Sequence, residues 1–416
     1  MPVSASRSLT ARGRFFLVGG ASVTVLGALW GERELAWIGV LLMALPVAAM
    51  IVLHRTQVRL SCERTVTPSR GAIGDRLTAD LRLAKTGALP VGLLQFEDAV
   101  PPQLGRPPRF AVHRFAGPWE RRITYPLMGL ARGRFRVGPL MVHAADPFGM
   151  ARLDSTFTGT EEVMITPRVF PLQQLTTSGG AGAAGDTTPR HIGHLGQDDV
   201  LVREYRQGDD VRRVHWRSTA RWGELMVRRE EQAWEPSATV LFDNRATHHA
   251  GTGRGSSFEW AVSAAASVCS HFAGGGYRIG LIDAAGRVAT GGIEDPRAAR
   301  EAMLIALTDS ALCRAESLTA AVNASIAARD GEIVVAVLGR LSPDDIVSLE
   351  RVRRMRSQGV ALVLHTDTFA ASGGVPDAAQ LDAVRRLREQ RWRVVEVSAG
   401  TGVPDAWELL RREALV

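Results

Sequence analysis

Two long apolar runs open the chain and predict a pair of helices. They cover Phe15–Trp30 and Leu35–Leu53, and neither contains a charged residue. The second run is as long as a membrane span, and the first reaches that length with its flanks. We expect a transmembrane hairpin over residues 15–54. The alternatives are a helical hairpin buried in a soluble core and a secretory signal in the first run.

Charges on either side of the hairpin predict its orientation. Basic residues precede the first run and follow the second, whereas the turn between them is slightly acidic; the basic group comprises Arg7, Arg12, Arg14, His54, Arg55 and Arg59. Positive flanks mark the cytoplasmic side of membrane proteins. We therefore expect a protein of the cell membrane with two spans in the lipid bilayer. Residues 1–14 and the bulk of the chain, including its other terminus, are expected in the cytoplasm.

The pattern changes to a period of two after the hairpin. Apolar and polar residues alternate in Val58–Ser61, Leu77–Leu83 and Arg122–Tyr125, and clusters of glycine and proline separate these stretches. Short alternating strands at such spacing predict an antiparallel β-sandwich, immunoglobulin-like, over residues 57–175. Small residues then dominate 176–195, which we interpret as a linker or loop rich in glycine and alanine.

Buried-type strands alternate with helices in residues 235–416. The predicted strands are Ala238–Phe242, Arg278–Ile282, Glu332–Leu338, Gly359–Leu364 and Arg393–Val397. The predicted helices are Ser257–Phe272, Pro296–Leu307, Asp344–Ser357 and Asp377–Gln390. Ser342 followed by Pro343 is a strong helix start, because serine caps the first turn and proline suits the first helical position. This alternation predicts a doubly wound parallel sheet, so the fold class is multidomain.

Composition narrows the range of functions. The formal charge of +7 is basic, but no nucleic-acid-binding module accompanies it, so we expect no nucleic-acid partner. Lys85 is the only lysine, and a coding sequence rich in G and C explains that bias without reference to function. Cys62, Cys269 and Cys313 are far apart and lack the spacing of metal ligands, which indicates reduced thiols.

The segment Arg203–Glu231, here called the hallmark segment, concentrates arginine and tryptophan around a turn at 207–210. We expect Asp209 or Asp210 to cap a helix that follows this turn. In such a helix Arg213, Arg217 and Arg221 lie at i, i+4 and i+8, along one face. Three cations in a row require an anionic neighbour. The candidates are an acidic partner molecule or the nearby acids Glu224, Glu230 and Glu231.

Two motifs in this chain resemble those of the bacterial domain of unknown function 58 family. The first runs through the hallmark segment at Arg203, Tyr205, Gly208, Asp209, Arg212, Val214, Trp216, Ala220 and Arg221. The second, here called the upstream motif, comprises Arg132–Leu140 and Asp146–Gly149. The resemblance implies a hallmark region at 196–234, followed by a von Willebrand factor A-like domain from residue 235. It also implies a MoxR-type AAA+ ATPase as partner, whereas the family has no established activity.

The resemblance also implies where a metal ion would lie. Metal-binding von Willebrand A domains hold magnesium with Asp-x-Ser-x-Ser after the first strand, and the matching positions here are Asp243, Arg245 and Thr247. Asp243 and Thr247 retain oxygen donors for a hard cation. Arg245 has no lone pair to donate, so we expect a degenerate site without metal, in which Arg245 pairs with Asp243 or with the hallmark helix. No other cofactor is expected.

These expectations favour a non-catalytic, membrane-anchored adaptor or scaffold that links an AAA+ ATPase to a client. The candidate interaction surface is in the hallmark segment, because exposed arginine beside aromatic anchors is typical of interfaces. Its residues are Arg203, Tyr205, Gly208, Asp209, Arg212, Arg213, Trp216, Arg217 and Arg221. The alternative for the two tryptophans, Trp216 and Trp222, is a place in the core. A metal-dependent receptor using Asp243 and Thr247 is the second functional hypothesis, and an envelope hydrolase outside the cytoplasm is the third.

Overall fold

The chain is described here from a computed structural model. The structure describes residues 2–55, 60–85, 93–113, 117–146, 148–174, 202–205, 214–228, 237–289, 293, 295–328, 333–355, 358–375 and 377–413. These residues form two compact units. The first contains 1–170, 250–267 and 301–312, and the second contains 171–249, 268–300 and 313–416. The predicted linker at 176–195 lies outside the described residues. The boundaries proposed at 57, 175, 196 and 235 stay predictions.

The two apolar runs form helices α1 (Ala11–Trp30) and α2 (Arg33–Arg55). Both are long and apolar enough to cross a membrane. Phe15 and Trp37 are 76% and 72% exposed, which suits helices that face lipid and opposes a place inside a soluble core. Pro46 lies inside α2 without ending it. The two predicted helices are therefore confirmed, and each could span a bilayer.

Glycines allow α1 and α2 to approach closely. The buried residues of α1 are Gly13, Gly20 and Gly27. A Cβ atom on Gly20 would lie 2.8 Å from the carbonyl oxygen of Gly39 in α2, and one on Gly39 would lie 2.5 Å from the backbone nitrogen of Thr24. Small residues at such contacts are how apolar helices pack where lipid removes the hydrophobic driving force.

Short strands make up most of the rest of the first unit. They are β1 (Pro2–Leu9), β2 (Leu60–Thr67), β3 (Arg70–Ala72), β4 (Arg76–Lys85), β5 (Leu93–Asp98), β6 (Arg109–His113), β7 (Trp119–Met128), β8 (Gly133–Val137), β9 (Leu140–Ala145), β10 (Ala151–Phe157) and β11 (Glu161–Thr166). The described strands form sheets in the orders β1-β10-β9-β5-β6, β2-β4-β7 and β3-β11-β8. Nearly all neighbours are antiparallel, as the period of two predicts, but β3 and β11 run parallel. The immunoglobulin-like assignment stays a prediction.

The alternation in β4 shows why these strands form a core. Leu77, Ala79, Leu81 and Leu83 are at most 1% exposed, whereas Thr78 and Arg82, which lie between them, point outward. Successive side chains in a strand face opposite sides of a sheet, so an alternating sequence buries one face only. Residues 1–14, which the sequence predicts only as a terminus, contain strand β1. It pairs antiparallel with β10.

A parallel five-stranded sheet forms the centre of the second unit. Its strands are β14 (Ser237–Phe242), β15 (Arg278–Asp283), β16 (Ile333–Leu338), β17 (Gln358–Leu364) and β18 (Arg393–Val397), in the order β15-β14-β16-β17-β18. Every residue of β16 is buried, as expected of a strand covered on both faces. The five predicted strands are therefore confirmed. The strand order reverses beside β14, and the edge between the carboxyl ends of β14 and β16 is where sheets of this kind bind ligands.

Helices and a small pair of strands complete the described chain. The strands are β12 (Val202–Glu204) and β13 (Met226–Arg228). The helices are α3 (Trp216–Trp222), α4 (Ser257–Gly274), α5 (Pro296–Asp309), α6 (Thr319–Ala327), α7 (Pro343–Met355), α8 (Ala378–Glu389) and α9 (Val403–Glu413). The prediction of α4, α5, α7 and α8 is confirmed, whereas α6 and α9 were not anticipated. Pro343 begins α7 as expected, and the backbone N–H of Asp345 donates to Ser342 Oγ at 3.3 Å.

Candidate functional site

The hallmark segment is built on the small sheet of β12 and β13. The two strands pair antiparallel. Backbone hydrogen bonds extend the pairing on both sides: the N–H of Tyr205 donates to the Leu225 carbonyl at 2.7 Å, and that of His215 donates to the Met226 carbonyl at 2.8 Å. Tyr205 is half-buried. The ends of this sheet therefore fix the position at which helix α3 begins.

The expectation of one long arginine-lined helix is wrong. Helix α3 begins at Trp216 and is capped by the side chain of His215 rather than by Asp209 or Asp210. Val214 forms a β-bridge with Val227, so the chain just before the helix is extended. Arg217 and Arg221 lie in α3, whereas Arg213 lies outside the described residues. The pairing with β13 has overridden the helical spacing.

Several predicted residues of the segment fall outside the described chain. These are Gly208, Asp209, Asp210, Arg212, Arg213, Glu230 and Glu231. Arg203 lies in β12. Their proposed roles stay predictions, and the candidate surface is argued below from the described residues alone.

Helix α3 presents both of its tryptophans to solvent. Trp216 is 69% exposed and Trp222 is 72% exposed, and the neighbouring Leu225 is 45% exposed. Arg217 and Arg221 are also exposed, and neither forms an ion pair with another described residue. The alternative that both tryptophans belong to the core is therefore wrong. Large aromatic side chains on a soluble surface mark sites of interaction more often than isolated small apolar residues do.

The predicted metal position is occupied by the side chain of Arg245. Asp243 lies at the carboxyl end of β14, and Arg245 Nε and Nη2 donate to its two carboxylate oxygens, each at 2.9 Å. Both residues are fully buried. Burial alone raises the pKa of Asp243, but hydrogen bonds from Arg245 and its charge outweigh burial and lower that pKa. The pairing of Asp243 with Arg245 that the sequence suggested is confirmed.

A second carboxylate, missed at the sequence level, completes the arrangement. Asp345, in the first turn of α7, accepts from Arg245 Nη1 at 2.9 and 3.0 Å and is also fully buried. The remaining contacts of the guanidinium are the carbonyl oxygens of Glu316 at 3.4 Å and Arg340 at 3.5 Å. All three nitrogens of the guanidinium are thus engaged inside the fold. Burial alone lowers the pKa of Arg245, but the two carboxylates raise it.

The neighbouring Asn244 forms hydrogen bonds with residues on the opposite side of β14 from β16. Its side-chain oxygen accepts from the backbone N–H of Ala284 at 3.1 Å, and its carbonyl accepts from the N–H of Cys313 at 2.7 Å. Three consecutive polar residues, Asp243 to Arg245, are therefore completely buried at the end of a central strand. Burying polar groups is costly unless hydrogen bonds satisfy them, and here each finds partners within the unit.

Thr247 does not join Asp243. It is exposed in a short 3₁₀ turn, and its hydroxyl lies 2.9 Å from Nδ1 of His248. His249 is half-buried, and its Nε2 lies 2.8 Å from the carbonyl oxygen of Asp243. Burial lowers the pKa of both histidines, and the charge of Arg245 acts in the same direction. The geometry does not fit a divalent cation at Asp243, because the guanidinium takes its carboxylate oxygens.

The first half of the upstream motif anchors a hairpin within the first unit. Arg132 lies just before β8 and forms an ion pair with Glu259 in α4. Its guanidinium also donates to the carbonyl oxygens of Leu307 at 3.0 Å and Ser310 at 2.7 Å, at the end of α5. Arg134 pairs with Asp309 at 2.9 Å. A guanidinium is well suited to the carbonyl groups that a helix leaves unpaired at its carboxyl end.

The second half of the motif forms a turn beside α1. Both carboxylate oxygens of Asp146 accept backbone hydrogen bonds, from Phe148 at 2.9 Å and from Ala151 at 2.6 Å. Gly149 has a φ of 68°, which a side chain would disfavour. Thr10, the residue that caps α1, donates from its hydroxyl to the Gly149 carbonyl at 2.6 Å. The motif therefore has a structural role at the start of the first apolar helix.

A buried ion pair, formed by Arg64 and Asp98, contacts the first half of the upstream motif. Arg64 Nε donates to Asp98 at 3.1 Å, and Arg64 Nη1 donates to the Val137 carbonyl at 3.2 Å. Gly138 follows with a φ of 104°, and a Cβ atom there would lie 2.4 Å from the guanidinium. Tyr125 completes the group by donating from its hydroxyl to Asp98. Burial and the Asp98 carboxylate raise the pKa of Tyr125 far above its ordinary value.

Comparison with known proteins gives a similarity to one family over part of the chain, and no activity. Residues 201–368 match the family described as "Protein of unknown function DUF58". The chain is also 25% identical over 202 residues to the "Uncharacterized protein YeaD" of Bacillus subtilis (strain 168). That match covers 47% of this chain and 48% of the relative, so it spans about half the relative's length.

Solved structures offer only distant likenesses. One is the CARDB domain of a Pyrococcus furiosus protein in complex with di-metal ions, at 11% identity and a TM-score of 0.19, covering 26% of this chain and 93% of that chain. Another is the Pseudomonas fluorescens alkylpurine DNA glycosylase AlkC, at 15% identity and a TM-score of 0.19, covering 32% of this chain and 38% of that chain. At such TM-scores neither likeness identifies a fold.

The hallmark segment lies within the match over residues 201–368, whereas the upstream motif lies outside it. Over that segment the chain is similar to the DUF58 family, whose function is unknown.

Proposed function

We propose that this protein is a non-catalytic, membrane-anchored adaptor that works with a MoxR-type AAA+ ATPase. The observation that carries the proposal is the exposure of Trp216 and Trp222 on one short helix, beside Arg217 and Arg221. Tryptophan and arginine are the residues that contribute most often to binding hot spots. The surface formed by these four residues is here called the α3 surface.

The shape of the hallmark segment supports a docking role for the α3 surface. His215 and Gly223 cap the two ends of α3, and none of its residues is buried. The helix therefore contributes little to a core, yet the sheet of β12 and β13 holds it in place. A rigid, exposed element loses little conformational entropy when a partner binds.

The closed arrangement at Asp243 supports the adaptor over the metal-dependent receptor. A receptor of that kind needs a cation whose open coordination position meets the ligand, and Thr247 would have to contribute an oxygen beside Asp243. Here Arg245 takes both carboxylate oxygens of Asp243, and Thr247 lies beside His248. The von Willebrand factor A-like character of the second unit, which we retain as part of the proposal, would then serve partner binding without metal.

The proposal is tested by affinity capture of the intact tagged protein from native membranes. We expect an AAA+ ATPase in the capture and direct binding of that ATPase after purification. Replacing both Trp216 and Trp222 by serine should weaken binding by up to about 1,000-fold, since each hot-spot side chain contributes roughly 2 kcal/mol, or about 30-fold. The matched control replaces Val347 and Met355, which are 62% and 65% exposed on α7, by serine.

The two variants separate the possible outcomes. Loss of ATPase binding in the tryptophan variant, with binding retained in the α7 control, supports the α3 surface. Equal binding by both variants removes the α3 surface from the proposal. A capture in which no AAA+ ATPase binds the intact protein overturns the adaptor role with that partner.

A further inference from the structure

The side chain of Arg245 lies at the carboxyl ends of β14 and β16, in the position that a bound ion would take. The edge between β14 and β16 is the place where a parallel sheet of this strand order binds ligands. Asp243 follows β14, and its carboxylate also accepts from the backbone N–H of Gly339, which follows β16, at 3.2 Å. Arg245 fills the space between this carboxylate and that of Asp345. The crevice is thus closed by a cation that belongs to the chain.

The oxygen atoms around the guanidinium are of the kind that hard cations bind. Both oxygens of Asp243 and both of Asp345 lie within 3.0 Å of its nitrogens, and the carbonyl oxygens of Glu316 and Arg340 lie within 3.5 Å. Carboxylate and carbonyl oxygens are the ligands that magnesium, manganese and calcium prefer. Without the guanidinium, two buried carboxylates would face each other uncompensated, which is strongly unfavourable.

We infer that Arg245 is a tethered cation that replaces a divalent metal ion in an oxygen site formed by Asp243 and Asp345. The native site therefore needs no metal and does not respond to chelators. Removing the guanidinium while keeping the carboxylates should expose a latent site for magnesium or manganese. The inference does not rest on the adaptor role, because it concerns cation binding and stability and involves no partner.

The backbone around the site favours an ion-binding site occupied by Arg245 over a simple ion pair. Asp345 is fixed from several directions, because its carboxylate accepts from the N–H groups of Leu318 at 3.3 Å and Ser342 at 2.9 Å. Asp243 is fixed in the same way by the N–H groups of Arg245 at 3.1 Å and Gly339. Carboxylates held by the backbone keep their positions when a side chain between them changes. That is what a preorganised ion site requires.

The test compares the full-length protein with its Arg245→Ser variant in detergent, with and without millimolar MgCl₂ or MnCl₂. The wild-type melting temperature should not change with either salt or with EDTA. Arg245→Ser should melt at least about 6 °C lower without divalent ions, because a buried pair has lost one partner. Either ion should restore part of that loss, since a ligand that binds only the folded state stabilises it. Calorimetry should show one site, which Asp345→Asn in the same chain removes.

Arg64→Ser is the matched control. Arg64 is another buried arginine, but it pairs with the single carboxylate of Asp98. Its loss should also lower the melting temperature, whereas divalent ions should restore nothing. A response to magnesium in Arg64→Ser equal to that in Arg245→Ser would show a nonspecific effect and overturn the inference.

A second pair of variants covers the case in which Arg245→Ser does not fold. Arg245→Lys keeps a positive charge on a flexible stem, and Arg245→Gln is neutral and of similar length. We expect the lysine variant to fold without divalent ions and the glutamine variant to be much less stable. Equal stability of the two variants would mean that the site needs no cation, and would overturn the inference. Stoichiometric manganese binding by the wild-type protein that disappears in Asp243→Ala would also overturn it.

Discussion

The hydroxyl of Thr10 donates a 2.6 Å hydrogen bond to the carbonyl oxygen of Gly149. This bond joins the cap of α1 to the turn in the second half of the upstream motif. The N–H of Thr10 adds a second bond, to the carbonyl of Met150 at 2.9 Å. Strand β1 then continues the contact by pairing with β10. Residues before the first apolar helix and residues after the second are therefore parts of one folded structure.

This pairing leads to a prediction about topology. If α1 and α2 span the membrane, β1 and β10 must lie on the same side of it, and the flanking charges predict that this side is the cytoplasm. Reporter fusions at the amino terminus, after Arg59 and after Val416 should all be active only with cytoplasm-dependent reporters. Activity of an exterior-dependent reporter at any of the three positions would contradict the prediction. It would also revive the envelope hydrolase hypothesis.

The helical hairpin gives a second prediction, with a control in the adjacent residue. Gly20→Ala should destabilise the pairing of α1 with α2, because the new methyl group would lie 2.8 Å from the Gly39 carbonyl oxygen and 2.9 Å from Met43. Overpacking of this kind costs roughly 1–3 kcal/mol. Gly19→Ala has nothing within 4 Å and should be neutral. Unfolding in mixed detergent micelles measures both variants, and equal midpoints would show that the hairpin is not tightly packed.

Much of the secondary structure could be predicted from the local pattern of apolar and polar residues. The five parallel strands and both apolar helices are long, strongly patterned segments, so their residues determine their conformation without distant partners. Strand β1 was missed because a short stretch rich in serine shows little amphipathic character. Its pairing with β10, some 140 residues away along the chain, stabilises it as a strand.

The candidate sites depend on contacts between distant residues, which sequence spacing does not predict. The pairing of Asp243 with Arg245 involves residues two positions apart, and the sequence suggested it. Asp345 lies 100 residues further along, so no spacing rule could connect it with Arg245. The misread helix start has the same cause, since the bridge from Val214 to Val227 depends on a strand that follows the helix. Non-local pairing overrides local propensity in both cases.

The buried pair of Arg64 and Asp98 supports a third prediction. Asp98→Ala should lower the free energy of unfolding by about 3–5 kcal/mol, because it leaves a buried guanidinium without its carboxylate. Glu97, one residue earlier, pairs with an arginine that is largely exposed, Arg109. Glu97→Ala should therefore cost at most about 1 kcal/mol. Urea unfolding of the two variants is the measurement, and similar losses would show that burial does not determine the strength of these pairs.

The last prediction concerns the charge of the α3 surface. Changing Arg217 and Arg221 to glutamate should leave stability within about 0.5 kcal/mol, because both side chains are exposed. If an acidic partner docks there, the same change should abolish its capture, and binding to the wild-type protein should weaken as salt concentration rises. A paired control reverses Arg385 and Arg412, which are 67% and 71% exposed on α8 and α9.

The melting temperature and the capture must be measured on the same double variant, because together they distinguish the two roles. A large loss of stability would mean that Arg217 and Arg221 pair within the fold with the acids at 230 and 231, because neither pairs with Glu224. Unchanged stability with lost capture supports docking of an acidic partner. Unchanged stability with unchanged capture would leave the exposed tryptophans, without the arginines, to carry the interaction. The salt dependence should disappear in that case, because burial of apolar surface is weakly screened by ions.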